Sequence, residues 1–159
     1  MSFNHFDGQG KAIMVDVSGK KKTLRTATAA ATVHMSSDLL QNILDHQTTK
    51  GDVLGVARLA GIAASKKVPD LIPLSHPLAI HHAAIEFNCE VEQGTVEVQA
   101  TVRAYERTGV EMEAMVSASL AALTIYDMCK GSEKDISIDA VRLLFKEGGK
   151  SGTYRAEGL

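Results

Sequence analysis

"IEFNCEVEQGTVEVQATVRA", residues Ile85 to Ala104, is the stretch on which the fold turns. Ile85, Phe87, Cys89 and Val91 alternate with Glu86, Asn88, Glu90 and Glu92. Gln93 and Gly94 then offer a tight turn, and Val96, Val98, Ala100, Val102 and Ala104 alternate with polar residues on the way back. A period of two sends apolar side chains to one face and polar ones to the other, so the stretch predicts an antiparallel hairpin with a dry and a wet face. The dry face needs a cover.

Helices on either side supply it. Upstream, "TATAAATVHM" (Thr26 to Met35) places Ala27, Ala29, Ala31, Val33 and Met35 on one parity, a further strand. Ser36 and Ser37 follow as N-cap residues for a short helix carrying Leu39, Leu40, Ile43 and Leu44. A second helix is predicted over Asp52 to Lys67, with a small-residue stripe of Val53, Val56, Ala57, Ala60 and Ala64, closed by Pro69. Downstream, a helix from Val110 to Met128 is apolar nearly all round, as expected of one buried on several sides; one sheet layer is a thin cover for it, which predicts other subunits. A last strand over Ile136 to Phe145 precedes the Gly-rich "EGGKSGTYRAEGL". The order β, α, α, β, β, α, β predicts one α+β domain over 1–159, with helices on one face of a mainly antiparallel sheet and mobile ends at 1–13 and 148–159.

Composition narrows the function. Seventeen Lys and Arg stand against 19 Asp and Glu in 159 residues, so bulk charge points to neither a nucleic-acid nor a membrane partner, and any anion site must be local. With aromatics at 4% and no Trp, base stacking on aromatic platforms has little to work with. No apolar run is long enough to span a bilayer, and "MSFNHFDGQG" has neither a basic nor an apolar leader region, so a cytoplasmic protein is expected. Cys89 and Cys129 lie far apart, without zinc or redox spacing, and read as small buried hydrophobes.

Several residues invite chemistry. All three prolines cluster in one short region, at Pro69, Pro73 and Pro77, with His76 directly before the last, which holds that histidine in a stiff, extended pose. Lys50 precedes Gly51 and a helix start, where anions are favoured, although a solvated loop lysine is the ordinary reading. Glu111 and Glu113 open the apolar helix; first-turn carboxylates complement its dipole, yet an otherwise apolar helix suggests a partly buried site. Asp127 and Lys130 close the same helix, three residues apart on one face. They form either a plain surface pair or an acid and base couple whose lysine is brought toward neutrality by a second cation, for which Lys50 is the candidate. "GGKSG" imitates a phosphate-binding loop, but Leu144 stands where its first glycine belongs and no helix is expected after it. His81 and His82, adjacent in a strand, point to opposite faces and cannot share a metal.

Taken together, "MVDVSGK" (Met14 to Lys20), "KGDVLGVARLAGIAASKK" (Lys50 to Lys67), "DLIPLSHPL", "TGVEMEA", "ALTIYDMCK" (Ala122 to Lys130) and "GGKSG" closely resemble the cyclic pyranopterin monophosphate synthase family, the molybdenum cofactor biosynthesis protein C family. The resemblance runs from Met14 to Gly152. It implies a ferredoxin-like α+β subunit, a homohexamer built as a trimer of dimers, and active sites between subunits. It implies a lyase that converts 3',8-cyclo-7,8-dihydro-GTP to the cyclic pyranopterin with release of diphosphate and without a redox cofactor. On matching motifs, Lys50, Asp127 and Lys130 form the catalytic group. Leu74, Ser75, His76, Glu111, Met112 and Glu113 form the binding wall, and Arg25, Lys66 and Lys146 are phosphate or base contacts. The chemistry suits these types: lysine and aspartate move protons in turn, cations hold a phosphate chain, and a carboxylate reads a guanine-like edge. Whether Glu111 or Glu113 does the reading is open.

The family pattern carries cysteine where this chain has Ser75, which argues against an obligatory thiol in the loop. No protein metal site and no required cofactor are implied; Mg²⁺ could accompany the substrate phosphates, although the sequence offers no dedicated carboxylate cage for it. Two other classes remain: a binding module that holds a purine or pterin nucleotide without turning it over, and a structural assembly protein, for which the stiff histidine loop has no use.

Overall fold

The computed structural model describes residues 5–157. Strand β1 (Thr23–His34) leads into helix α1 (Ser37–Leu44), α2 (Val53–Ser65) and the single turn α3 (Val68–Leu71). The hairpin β2 (His82–Glu90) and β3 (Thr95–Glu106) follows, then α4 (Glu111–Cys129), β4 (Ser137–Glu147) and the two-residue β5 (Tyr154–Arg155). The sheet order is β2-β3-β1-β4-β5 and every pair is antiparallel. With β3 lying between β2 and β1, and β1 between β3 and β4, the two halves interleave as a split βαβ pair, the ferredoxin-like arrangement.

The dry face forms as the alternation predicts. Ala29 pairs with Ala100 and Ala31 with Val98, while Ile85 and Phe87 pair with the same β3 residues from the other side. Ala27, Ala29, Ala31, Val33, Val96, Val98, Ala100, Val102 and Ala104 are fully buried. Against this floor α4 presents Ala114, Ser117, Ala118, Ala121, Ala122 and Ile125, all at 0% exposure. Small residues on both layers let the helix lie close to the strands, where dispersion contacts are densest. At 19 residues α4 is about 27 Å long, so its two ends serve distant parts of the molecule.

Four local readings are corrected. The hairpin does not turn on Gln93 and Gly94 alone: β2 stops at Glu90, Val91–Gln93 make a 3₁₀ turn, and Gly94 closes it at φ 62°. The Gly94 carbonyl accepts the Met35 N–H at 2.8 Å, and a Cβ there would lie 1.9 Å from the Met35 carbonyl oxygen; a tertiary contact thus sets the loop. Helix α2 ends at Ser65, not Lys67, and Pro69 does not stop it; the proline sits in the first turn of α3, where its missing N–H costs nothing. Val56 is 44% exposed, and the buried stripe of α2 runs instead through Val53, Ala57, Gly61 and Ala64. Cys89 is only half-buried, although Cys129 is buried.

The expected mobile ends fall partly outside the described residues, at 1–4 and 158–159. Within them, Phe6 bridges to Ala12, and β5 pairs with β4 through Phe145 and Lys146.

Gly61 lies where α2 comes close to the backbone of α4. A Cβ added there would lie 3.0 Å from the Ser117 carbonyl oxygen and 2.9 Å from Ile85 Cδ1. Gly61→Val should therefore lower stability by about 1–3 kcal/mol through overpacking, read by urea denaturation. An unchanged midpoint would contradict this packing.

Candidate active site

The first turn of α4 meets the proline loop. Ser75 donates its Oγ–H and its N–H to the Ile72 carbonyl, at 2.9 and 3.1 Å, which folds "LIPLSHP" into a compact turn. His76 Nε2 lies 2.7 Å from the Val15 carbonyl, so Nε2 carries the proton and donates, and in the neutral ring Nδ1 remains an acceptor. The stiff pose read from Pro77 is thus locked by a tertiary hydrogen bond. A cavity of about 390 Å³ opens here, and all six predicted wall residues, Leu74, Ser75, His76, Glu111, Met112 and Glu113, line it.

Glu113 differs from its neighbour. It is 3% exposed, whereas the Glu111 side chain is 30% exposed and pairs with Lys146 Nζ at 3.1 Å. Burial pushes the Glu113 carboxyl up to about 7, its own N–H opposing and the Glu111 charge adding. A carboxyl poised there can hold or release a proton at neutral pH.

Beside this cavity, and sharing Lys20, Thr108, Gly109 and Glu111 with it, lies a second of about 740 Å³. Six cations line it, Lys20, Lys21, Arg25, Arg107, Lys146 and Lys150, against the single carboxylate of Glu111. A nearly neutral chain has concentrated positive charge in one cleft, where low-dielectric walls focus it on an anion. The structure also gives Arg25 a scaffold role. Its guanidinium donates to the carbonyls of Gly148 at 3.1 Å, Arg107 at 3.3 Å and Glu106 at 3.4 Å, tying three segments together. Gly148 (φ 101°) and Gly149 (φ 77°) pack on it so closely that a Cβ at Gly149 would fall 1.8 Å from Arg25 Nη1. The glycines of "GGKSG" serve this approach, and the segment leads into a strand and not a helix. Lys146 Nζ bonds Ser151 Oγ at 2.9 Å.

The predicted catalytic group lies at the other end of α4. Lys130 Nζ donates to Asp127 Oδ1 at 2.6 Å, with 54% and 65% of the two side chains exposed. Lys50, in the loop between α1 and α2, is close enough for its charge to act on both Asp127 and Cys129. The Lys50 charge thus reaches Asp127, with no hydrogen bond from Lys50 to Asp127 or Lys130 among the described residues. Their electrostatics correct one expectation: Lys130 is held above the usual lysine range by its hydrogen bond and charge contact with Asp127, and is not drawn toward neutrality. The same pairing with Lys130, helped by Lys50, holds Asp127 below the usual carboxylate range. As an exposed pair, both stay ionised at neutral pH.

The protomer does not bring its two groups together. Glu111 and Lys130 are separated by the whole of α4, about 28 Å along its axis. Lys66 caps the C-terminus of α2, exposed and outside the cavities described. Sequence reasoning missed Lys20, Lys21, Arg107 and Lys150; Lys20 stands in the "MVDVSGK" motif and Lys150 in "GGKSG", signals that were there to use. Among the described residues no group of three or more His, Cys, Asp or Glu could hold a metal ion, and no helix is long and apolar enough to cross a membrane.

A family model described as the MoaC family matches residues 14–149. The chain belongs to the MoaC family. Curated relatives named cyclic pyranopterin monophosphate synthase match it almost end to end. That of Geobacter sulfurreducens is 74% identical over 157 residues, spanning 99% of this chain and 98% of its own. That of Geobacter metallireducens is 73% identical over the same shares of both chains. A more distant MoaC relative, from Roseiflexus castenholzii, is 49% identical over 153 residues, 96% of this chain and 97% of its own. The resemblance read from the six motifs is thus borne out.

Glu113 provides a test. Its raised folded pKa means that the native state binds a proton more tightly than the unfolded chain; that stabilisation is complete below about pH 4.5 and is lost as pH rises through about 7. Glu113→Gln, which mimics the neutral form, should be more stable than the parent at pH 9 by about 2–3 kcal/mol more than at pH 5, by chemical denaturation. An equal difference at both pH values would contradict the buried carboxyl.

Proposed function

We propose that this MoaC family protein converts 3',8-cyclo-7,8-dihydro-GTP to cyclic pyranopterin monophosphate with release of diphosphate, in molybdenum cofactor biosynthesis. One observation carries the reading beyond its relatives' name: a cation-lined cleft beside a smaller cavity at one end of α4, and an acid–amine pair at the other. A substrate that is both polyanionic and in need of several proton transfers uses both.

The roles follow from the chemistry. The triphosphate lies in the cationic cleft with Arg25, Lys146 and the other cleft cations, which offset the charge that develops as a sugar hydroxyl oxygen attacks the α-phosphorus and the bond to the diphosphate breaks. The guanine-derived ring system lies in the smaller cavity between the proline loop and the first turn of α4. His76 Nδ1 and a backbone held by two prolines leave little room for misplacement there. Glu113, able to be neutral or charged near pH 7, can donate to a ring acceptor or accept from an amino edge, while Glu111 is occupied with Lys146. Lys50, Asp127 and Lys130 exchange protons with ring nitrogens and carbons during opening and reclosure. Any Mg²⁺ comes with the substrate phosphates: among the described residues no group of three or more His, Cys, Asp or Glu could hold it.

Two copies complete each site. Because about 28 Å of helix separates the groups within one protomer, the Lys130 end of one copy must face the His76 end of another. That requirement fits a homohexamer arranged as a trimer of dimers, with sites between subunits. Burial between copies also dries the Asp127–Lys130 pair, which as an exposed couple has no reason to give up its proton. Lys66, exposed and outside the cavities described, is free to reach a neighbour's.

Asp127→Ala or Lys130→Ala should lower diphosphate release from the cyclic GTP intermediate by about a hundredfold or more with the fold intact. Retained turnover in both would overturn the catalytic assignment. Lys130→Ala co-assembled with His76→Ala should regain activity, since in a mixed two-fold pair one site keeps both intact halves; random pairing restores about a quarter of the sites. No recovery from co-assembled inactive variants would contradict sites shared between copies.

A further inference from the structure

The proposed catalytic group is carried by two segments far apart in the sequence: Lys50 on the loop after α1, and Asp127 with Lys130 at the end of α4. Something has to fix one against the other. Ser36, which caps α1, is held by Glu133, just beyond the end of α4. Its N–H donates to Glu133 Oε1 at 2.9 Å and its Oγ–H to Oε2 at 2.5 Å, while the same Oγ accepts the Leu39 N–H at 3.3 Å. On the other side Glu133 is bound to the end of α4, its N–H donating to the Cys129 carbonyl at 3.1 Å beside the Ser132 N–H at 2.8 Å. One carboxylate thus joins the start of α1 to the turn that carries Lys130.

The Lys50 loop is drawn into the same junction. After Leu44 the chain bends back, with the Gln47 N–H on the Asn42 carbonyl at 2.9 Å and Thr48 Oγ1 on the Gly51 carbonyl at 2.7 Å. Gln47, Thr48 and Thr49 line one cleft of about 280 Å³ together with Ser132 and Glu133, so two walls of it come from the Lys50 loop and from the end of α4. Lys50 is the next residue beyond the first wall, and Lys130 lies two residues before the second.

We propose that Glu133 is a positioning residue for the proposed catalytic group: its two-pronged grip on Ser36 sets the distance between the Lys50 amine and the Asp127–Lys130 pair. Glu133 itself touches no substrate. This rests on the reading of those three residues as catalytic. Glu133→Ala frees the two walls of the cleft to drift, which misplaces the amines without touching the binding cavity at the far end of α4. Glu133→Gln keeps an acceptor for the Ser36 N–H and turns a donor toward Ser36 Oγ, so the grip survives without the charge.

The test is steady-state turnover of 3',8-cyclo-7,8-dihydro-GTP by the full oligomer, read as diphosphate release, with circular dichroism and assembled mass checked for each variant. Glu133→Ala should lose about tenfold in kcat with KM within about twofold, and Glu133→Gln should recover to within about threefold of the parent. Should Glu133→Ala fail to fold, Glu133→Asp, one methylene shorter, should give the same kcat loss. Unchanged kcat in the folded shortened variant, or Glu133→Gln as impaired as Glu133→Ala, would overturn the positioning role. Asp127→Asn and Lys130→Ala run alongside: if they stay active the catalytic reading fails, and if they are inactive while Glu133→Ala is not, only the positioning role does.

Discussion

The close contact between α4 and the alanine-floored centre of the sheet is the constraint from which the rest follows. Ala27, Ala29 and Ala31 of β1 and Ala100 and Ala104 of β3 lie under Ala114, Ala118, Ala121 and Ala122, and none of these keeps any exposure. Larger residues on either layer would lift the helix; smaller ones would leave voids costing on the order of 1 kcal/mol or more each. A helix seated so closely is a rigid beam, and both chemically equipped ends of the molecule are hung from it.

That rigidity explains why each end is built with local devices of its own. At the first turn, a proline loop locked by His76 to Val15 and a guanidinium tying Glu106, Arg107 and Gly148 hold the cavity walls. At the last turn, the Ser36–Glu133 clasp joins α1 to α4. Neither end can slide toward the other, so the proposed cooperation between them calls for a second copy of the chain. The nearly all-round apolar character of α4 and its partly exposed Met112 and Leu123 accord with that need.

The layers of the fold were legible because they follow short-range periodicities: alternation over Ile85 to Ala104, the alanine parity of β1 and the unbroken apolar run of α4 each predicted an element that forms. The boundaries that shifted did so for tertiary reasons a pattern does not carry. Gly94 is placed by a contact with Met35, and Gly61, not Val56, lies in the buried stripe because it must clear Ser117 and Ile85. In the site, motif resemblance proposed the wall and the acid–amine group, and the six wall residues line one cavity. Spacing already set Glu111 and Lys130 at opposite ends of one helix, but it could not reveal that Arg25 is also a strut or that Asp127 holds Lys130 charged. Lys20, Lys21, Arg107 and Lys150 come from separate segments, and only the folded chain gathers them.

The central claim is that one nucleotide-derived substrate bridges the two ends of α4 contributed by different copies. A crystal structure of the assembled Asp127→Asn variant with 3',8-cyclo-7,8-dihydro-GTP bound tests it most directly. The account predicts a ligand whose ring system lies against His76 and Glu113 of one copy and within reach of Lys50 and Lys130 of another, with its phosphates among the cleft cations. A ligand held wholly by one protomer, with Lys50 and Lys130 facing solvent, would contradict it.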